Sequence, residues 1–413
     1  MIKYNRFTLS NGLTVLVHHD SHTPMVAMNI LYKVGARDED PEKTGFAHLF
    51  EHLMFGGSVN IPEYDTPLQL AGGENNAFTN SDITNYYLTL PKNNLETAFW
   101  LESDRMLSLA FTPKSLEVQR QVVIEEFKQN YLNQPYGDVY LHLKPLAYKV
   151  HPYQWNTIGK EISHIEKATM DDVKAFYQKF YNPDNAIVCL AGNVDIEEAR
   201  VLSEKWFGDI PKGKYIERNY PVEPPQTKPR KLTLERNVPQ SAIYMAWHMP
   251  SRTDPEYYSC DLISDLLSNG NSSRLYQHLV KEQKLFSELN AFITGDVDPG
   301  LFIVSGKLYD SVDFKTAEEA IEKELKNIKE TPVSREELKK VQNKLEANLV
   351  FSEISVLNRA MSLCYYEMLG NADLFNLEKE KYQSVTPDNI QKTANRIFDE
   401  KNKNVLYYKA IKK

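Results

Sequence analysis

The strongest constraint on this chain lies near its middle. From Pro211 to Pro229 the sequence reads PKGKYIERNYPVEPPQTKP, with five prolines. Proline donates no amide and fixes φ, so such a stretch neither continues a helix nor feeds a β-ladder steadily; it reads as an extended inter-domain linker. The 413 residues are thereby expected to form an N-terminal domain over 1–210, a linker over 211–229 and a C-terminal domain over 230–413. Each piece is of ordinary domain size.

The halves carry the same local signals in the same order. Arg37-Asp-Glu-Asp-Pro-Glu42 follows an apolar strand and precedes a helix, and Arg252-Thr-Asp-Pro-Glu256 does the same beyond the linker. Thr112-Pro113-x-Ser115 and Thr331-Pro332-x-Ser334 each read as a helix start, with Thr at the N-cap and Pro at the first helical position. Two such matches imply an internal duplication. Each half opens on strand-like segments, Leu13–His18 and Val26–Tyr32, then Lys231–Leu234 and Ile243–Met249. A hairpin is expected over Asn76–Thr79 and Asn85–Leu90. Strands in runs with helices between them, without regular βα alternation, predict an α+β fold of two similar half-domains, each a largely antiparallel sheet packed with helices.

Composition removes several function classes. No run approaches about 18 uninterrupted apolar residues, so no membrane span is expected. A net charge of −8 argues against a nucleic-acid partner, whose footprint would be basic. With 17 glycines, none in a phosphate-cradling spacing, no nucleotide loop is expected. Cys189, Cys260 and Cys364 stand apart among apolar neighbours and read as buried structural thiols. The N-terminus lacks a secretory pattern, and a cytoplasmic location is expected.

The chemistry concentrates in Thr44–Phe55, TGFAHLFEHLMF. Phe46, Leu49, Phe50, Leu53 and Met54 form one buried helical stripe, with Gly56-Gly57 as the stop. His48, Glu51 and His52 fall within an arc of about 100° opposite that stripe. Two imidazoles one turn apart can grip one metal ion beside a carboxylate, the inverted zinc motif H-x-x-E-H, in which the glutamate is the general base. Phe55 shares this face, which suggests that the face is covered.

A catalytic zinc needs a third protein ligand. The helix opened by Thr112 offers Glu125 and Glu126. Glu126 shares a face with Val122 and Val123 and should point toward packed structure, whereas Glu125 lies with Gln121 and Glu117 on a solvated face. On the duplicated register, His48, Glu51 and His52 correspond to Leu262, Asp265 and Leu266, and Glu126 corresponds to Leu345. The three proposed ligands all become leucine, as an empty site in a duplicated pair would, because buried polar groups without partners are costly.

These residues resemble the insulinase/pitrilysin family of inverted-motif zinc metallopeptidases, in its short two-half-domain subfamily related to mitochondrial processing peptidase. The resemblance rests on Asn11-Gly-Leu-Thr14, Gly45-x-x-His-x-x-Glu-His52, Gly73-x-x-Asn76-Ala-x-Thr79 and Val122-Val-Ile-Glu-Glu126. It implies one Zn2+ per chain on His48, His52 and Glu126, with Glu51 as base. It implies a zinc-dependent endopeptidase that encloses peptides or unfolded segments in a chamber, with Asn76 and Ala77 on the strand the peptide joins. The alternative is a non-catalytic assembly subunit of the same family.

Three positions depart from the family pattern. Gln119 stands where a helper glutamate is common, and it could still hydrogen-bond a ligand. Val280 and Ser287 stand where an Arg and a Tyr usually steady the oxyanion. The resemblance therefore implies a heterodimer whose related partner chain supplies that pair, with a homodimer as runner-up and Lys281 as a possible substitute.

Overall fold

The computed structural model describes residues 1–411. The first half of the chain contains strands β1 (Asn5–Thr8), β2 (Thr14–His19), β3 (Met25–Tyr32), β4 (Glu74–Thr79), β5 (Thr84–Pro91) and β6 (Ala186–Gly192). Its helices are α1 (Phe46–Leu53), α2 (Asp65–Leu70), α3 (Leu95–Leu107), α4 (Pro113–Glu126), α5 (Val139–Ala147), α6 (Ile162–Glu166), α7 (Met170–Phe180) and α8 (Ile196–Phe207). After residues 211–229, which hold neither helix nor strand, come β7 (Arg230–Arg236), β8 (Ala242–His248), β9 (Phe286–Ile293), β10 (Leu301–Leu308) and β11 (Lys403–Ala410). The helices there are α9 (Tyr257–Ser268), α10 (Phe314–Glu330), α11 (Arg335–Ser352), α12 (Val356–Met368), α13 (Leu374–Gln383) and α14 (Pro387–Ile397).

Two compact units are built from these elements. The first comprises Met1–Gln129, Trp155–Tyr220 and Val350–Leu377; the second comprises Asn130–Gln154, Pro221–Leu349 and the chain from Glu378 onward. In the first, the described strands run in the order β1-β2-β6-β3-β5-β4, and in the second β7-β11-β8-β10-β9. Both contain one parallel pair, β2 with β6 and β7 with β11; the remaining neighbours are antiparallel. Apart from β1, the two sheets have the same order and sense, and this is the duplication expressed as topology. The fold is α+β, two similar halves, each a largely antiparallel sheet packed with helices.

In the first unit the apolar run of β3 is buried on both faces. On one face α12 packs its Ala360, Leu363 and Cys364 against Leu16, Ala27, Leu31, Ile187 and Cys189. The other face carries α1, α3 and α8, with α7 packed on α1. In the second unit α5 covers β7, β8 and β11 on one face, while α9 and α10 lie over β9 and β8. Each unit thus takes one covering helix from the opposite half of the sequence.

Thr112 caps α4 as its sequence predicts: its hydroxyl accepts from Ser115 N at 3.0 Å, and Ser115 Oγ accepts from Thr112 N at 3.2 Å. Thr331-Pro332 does not open the matching helix. Thr331 closes α10, its amide donating to Asn327 O at 2.9 Å, so α11 starts three residues later with Ser334 Oγ accepting from Glu337 N at 3.1 Å. Among the described residues, no helix is long and apolar enough to cross a membrane.

Candidate metal centre

The helix α1 is two residues shorter at each end than its periodicity predicts, and a left-handed glycine and a buried carboxylate mark its start. Gly45 precedes it at φ +91°, and a Cβ there would lie 2.9 Å from Ile158 O and from Ile165 Cδ1. Glu39, fully buried, accepts from Gly45 N at 2.9 Å, Ala47 N at 2.8 Å and Trp155 Nε1 at 3.1 Å. The Glu39 carboxylate thereby satisfies two amides at the helix start, Gly45 N and Ala47 N, that have no partner within the helix. Burial nonetheless pushes the Glu39 carboxyl up to about 8. Phe50, on the buried stripe, stacks on Phe176 and Tyr181.

The opposite face meets α4 and β4. His48 Nε2 lies 3.2 Å from His52 Nε2, and Glu126 Oε2 lies 3.3 Å from the first and 3.5 Å from the second. A tetrahedral zinc with bonds of about 2.0–2.1 Å would hold its ligand atoms about 3.3–3.4 Å apart. The observed triangle has that edge length. Among the described residues, His48, His52 and Glu126 are the group of His, Cys, Asp or Glu able to share one ion. Glu126 Oε2 is buried without a hydrogen-bond partner, which suits an oxygen reserved for a cation. Burial, with His52 beside it, lowers His48 to about 4, so its ring is neutral at pH 7, the form that binds metal.

Glu51 lies on the same face, its carboxyl raised by burial and drawn back by a hydrogen bond that Thr79 Oγ1 donates to its Oε2 at 2.6 Å. Thr79 ends β4, the edge strand of its sheet, and Asn76 and Ala77 lie midway along that strand. Asn76 Oδ1 accepts from Ala77 N at 2.8 Å. Phe55 is covered, as its position on this face suggests: it meets Tyr64 edge-on and lies under the Arg105 guanidinium at 5.4 Å. Arg105 is itself buried, paired with Glu102 and 4.5 Å from the Tyr86 ring centre. Arg105, Glu39 and Thr79 lacked a sequence signal, since none is periodic with the histidines; for Thr79 the nearest hint was its place in the Gly73–Thr79 motif.

Other expectations had mixed outcomes. Glu125 is exposed and pairs with Lys128 at 2.7 Å, away from the triangle. Val122, expected to face packed structure with Glu126, is 41% exposed, and only Val123 is fully buried. Helix α4 is covered along a narrower stripe than two adjacent valines imply. Gln119 is half-buried and has no hydrogen-bond partner among the described residues. Leu262 and Leu266 are buried in the second unit's core and Leu345 packs against it. Val280 also packs on that core, while Ser287 Oγ donates to Gln240 Oε1 at 3.0 Å. The three cysteines are free and buried.

Two family models match the chain. Residues 14–160 match "Insulinase (Peptidase family M16)", and residues 167–345 match "Peptidase M16 inactive domain". The triangle and Glu51 lie within the first match. A zinc protease of Helicobacter pylori, PqqE, is 28% identical over 98% of this chain and 93% of its own length. A probable mitochondrial-processing peptidase subunit beta of Schizosaccharomyces pombe is 26% identical over 84% of this chain and 78% of its own. The crystal structure of a protease from Helicobacter pylori superposes with a TM-score of 0.93 at 27% identity, over 99% of this chain and 100% of that one. Taken with the duplicated α+β halves and the H-x-x-E-H helix, these matches make the chain a member of peptidase family M16, the insulinase family.

Proposed function

We propose that this chain is the catalytic subunit of a zinc-dependent endopeptidase acting on peptides or unfolded segments. The observation that most supports this is the triangle of His48, His52 and Glu126 with the Glu51 carboxylate on the same face. His48, His52 and Glu126 would hold one Zn2+, which when bound supplies Lewis-acid polarisation of an oxygen at the reacting centre. Glu51 takes a proton from the attacking water at Oε1 and returns it to the leaving amine, its Oε2 being held by Thr79. The free edge of β4 takes the peptide as an added strand, Asn76 and Ala77 lying where its backbone pairs. Gln119, two turns before Glu126 on α4, stands where a helper glutamate is common in the family, and its amide, without a hydrogen-bond partner among the described residues, is available to bond that ligand.

The domain reading that goes with this function keeps 1–210 and 230–413 as the repeats and 211–229 as their connection. Because Val280 and Ser287 replace the Arg and Tyr of the family pattern, the working enzyme is a heterodimer enclosing its substrate, with a related chain contributing that pair. The relative named as a subunit supports pairing. The free thiols support a cytoplasmic setting. A purely structural subunit would leave the donor triangle and its neighbouring base without use.

Glu51→Gln tests the assignment: the variant is expected to keep one zinc per chain and to lose cleavage of a quenched peptide. Normal turnover would overturn it. Full activity of the isolated chain would overturn the heterodimer.

A further inference from the structure

We propose that Thr79 is the positioning residue of Glu51, so that the strand taking the peptide also sets the orientation of the base. This rests on the peptidase reading above. Among the described residues, Thr79 is the hydrogen-bond donor to the Glu51 carboxylate, through Oγ1 at 2.6 Å from Oε2. A glutamate on a helix has three rotatable bonds, and next to a triangle of metal-ligand atoms its unheld carboxylate can swing toward the ion as a fourth ligand. Fixing Oε2 prevents this and leaves Oε1 for the proton.

Thr79 is itself held. It pairs with Thr84 at the closed end of the β4–β5 hairpin. The turn is locked by Asn80, whose Oδ1 accepts from Asp82 N at 2.8 Å and Ile83 N at 2.9 Å. Asn80 O and Ser81 O accept from Ala36 N at 3.1 Å and Arg37 N at 2.9 Å. Gly35 approaches so closely that a Cβ there would lie 2.5 Å from Asp82 N, and Arg37 pairs with Asp82 at 2.9 Å. Alternation places Asn75, Ala77 and Thr79 on the α1 face of β4, while Phe78 packs on the other with the α12 cluster. The branched side chain of threonine restricts χ1, so the hydroxyl direction is preset. A peptide strand added along β4 pairs with the backbone that carries this hydroxyl.

Thr79→Val removes the hydroxyl and keeps the shape. Its kcat is expected to fall about 10- to 100-fold, the range for losing a hydrogen bond to a charged group, with KM changed less than about twofold. Zinc content by elemental analysis stays at one per chain, and Thr79→Ser recovers most of the loss. A Thr79→Val kcat within twofold of the parent, a serine variant as impaired as the valine one, or loss of zinc from Thr79→Val would each overturn the inference. Glu51→Gln run in parallel separates the two claims. If it is inactive while Thr79→Val is unimpaired, only this inference fails; if it retains full turnover, the peptidase reading fails.

Discussion

If the triangle of His48, His52 and Glu126 holds zinc as proposed, the stability of the first unit depends on zinc, and the second half of the chain shows how to remove that dependence. Glu126 Oε2 and His48 Nδ1 are buried without hydrogen-bond partners, and each such group costs about 1–3 kcal/mol, less here for the partly exposed Glu126. A bound ion converts Glu126 Oε2 into a coordinated atom and adds binding energy to the folded state alone. At free zinc about 1,000 times its dissociation constant the gain is about 4 kcal/mol. For a unit of roughly 220 residues this corresponds to a rise in Tm of about 8–16 °C. Differential scanning calorimetry with zinc and with a strong chelator measures it directly. The triple variant His48→Leu, His52→Leu, Glu126→Leu copies the leucines found at 262, 266 and 345. Its melting should be indifferent to zinc and lie above that of the chelated parent, because apolar groups replace unpartnered polar ones. A parent that melts within 1 °C under both conditions, or a triple variant that still responds to zinc, would refute the reasoning.

Two further expectations concern the supports of the site. Asp172 accepts from Thr169 and pairs with Lys43 at 2.5 Å, which lowers its carboxyl to about 2. A depressed acid stabilises the fold above the ordinary carboxylate value near 4 and loses that contribution as pH falls toward 2. Asp172→Asn should therefore cost about 0.5–1 kcal/mol in urea unfolding at pH 7, a gap that closes between pH 4 and 2; a gap independent of pH would contradict this. Gly45→Ala places a Cβ against Ile158 O at φ +91° and should cost at least about 1–2 kcal/mol, with faster zinc release to a chromophoric chelator. Parent-like melting and release would show that the start of α1 accommodates a Cβ without strain.

Particular elements show what was legible in the chain. The hairpin expected over 76–79 and 85–90 is β4 and β5, longer by two residues at the start of β4 and by one at each end of β5, because turn polarity and alternation are local properties. The cap at Thr112 was legible for the same reason. Its counterpart at Thr331 was not, since the preceding helix runs on through Glu330 and uses that threonine as its own end. The exposure of Val122 depends on how much of α4 its neighbours cover, which the heptad-scale pattern does not record. The proline-rich segment is extended, yet it is no loose tether: Arg218 and Tyr220 bond Asp38 in the first unit, and Glu223 accepts the amides of Lys149, Val150 and His151 in the second.

The spacing of His48, Glu51 and His52 by itself determined that two imidazoles and a carboxylate would share one helix face, since 100° per residue decides that before any packing. The repeated signals on either side of the prolines likewise determined that one architecture would be built twice. Tertiary structure alone decided which atoms meet that face. Glu126 closes the triangle at 3.3 and 3.5 Å only because α4 packs on α1, and Thr79 reaches Glu51 only because β4 ends beside it. It also decided the exchange by which α5 and α12 each cover the sheet of the other half's unit. Helical and strand periodicities specify neighbours within a turn or a strand pair; contacts between distant segments follow from burying apolar faces together, and no local pattern encodes them.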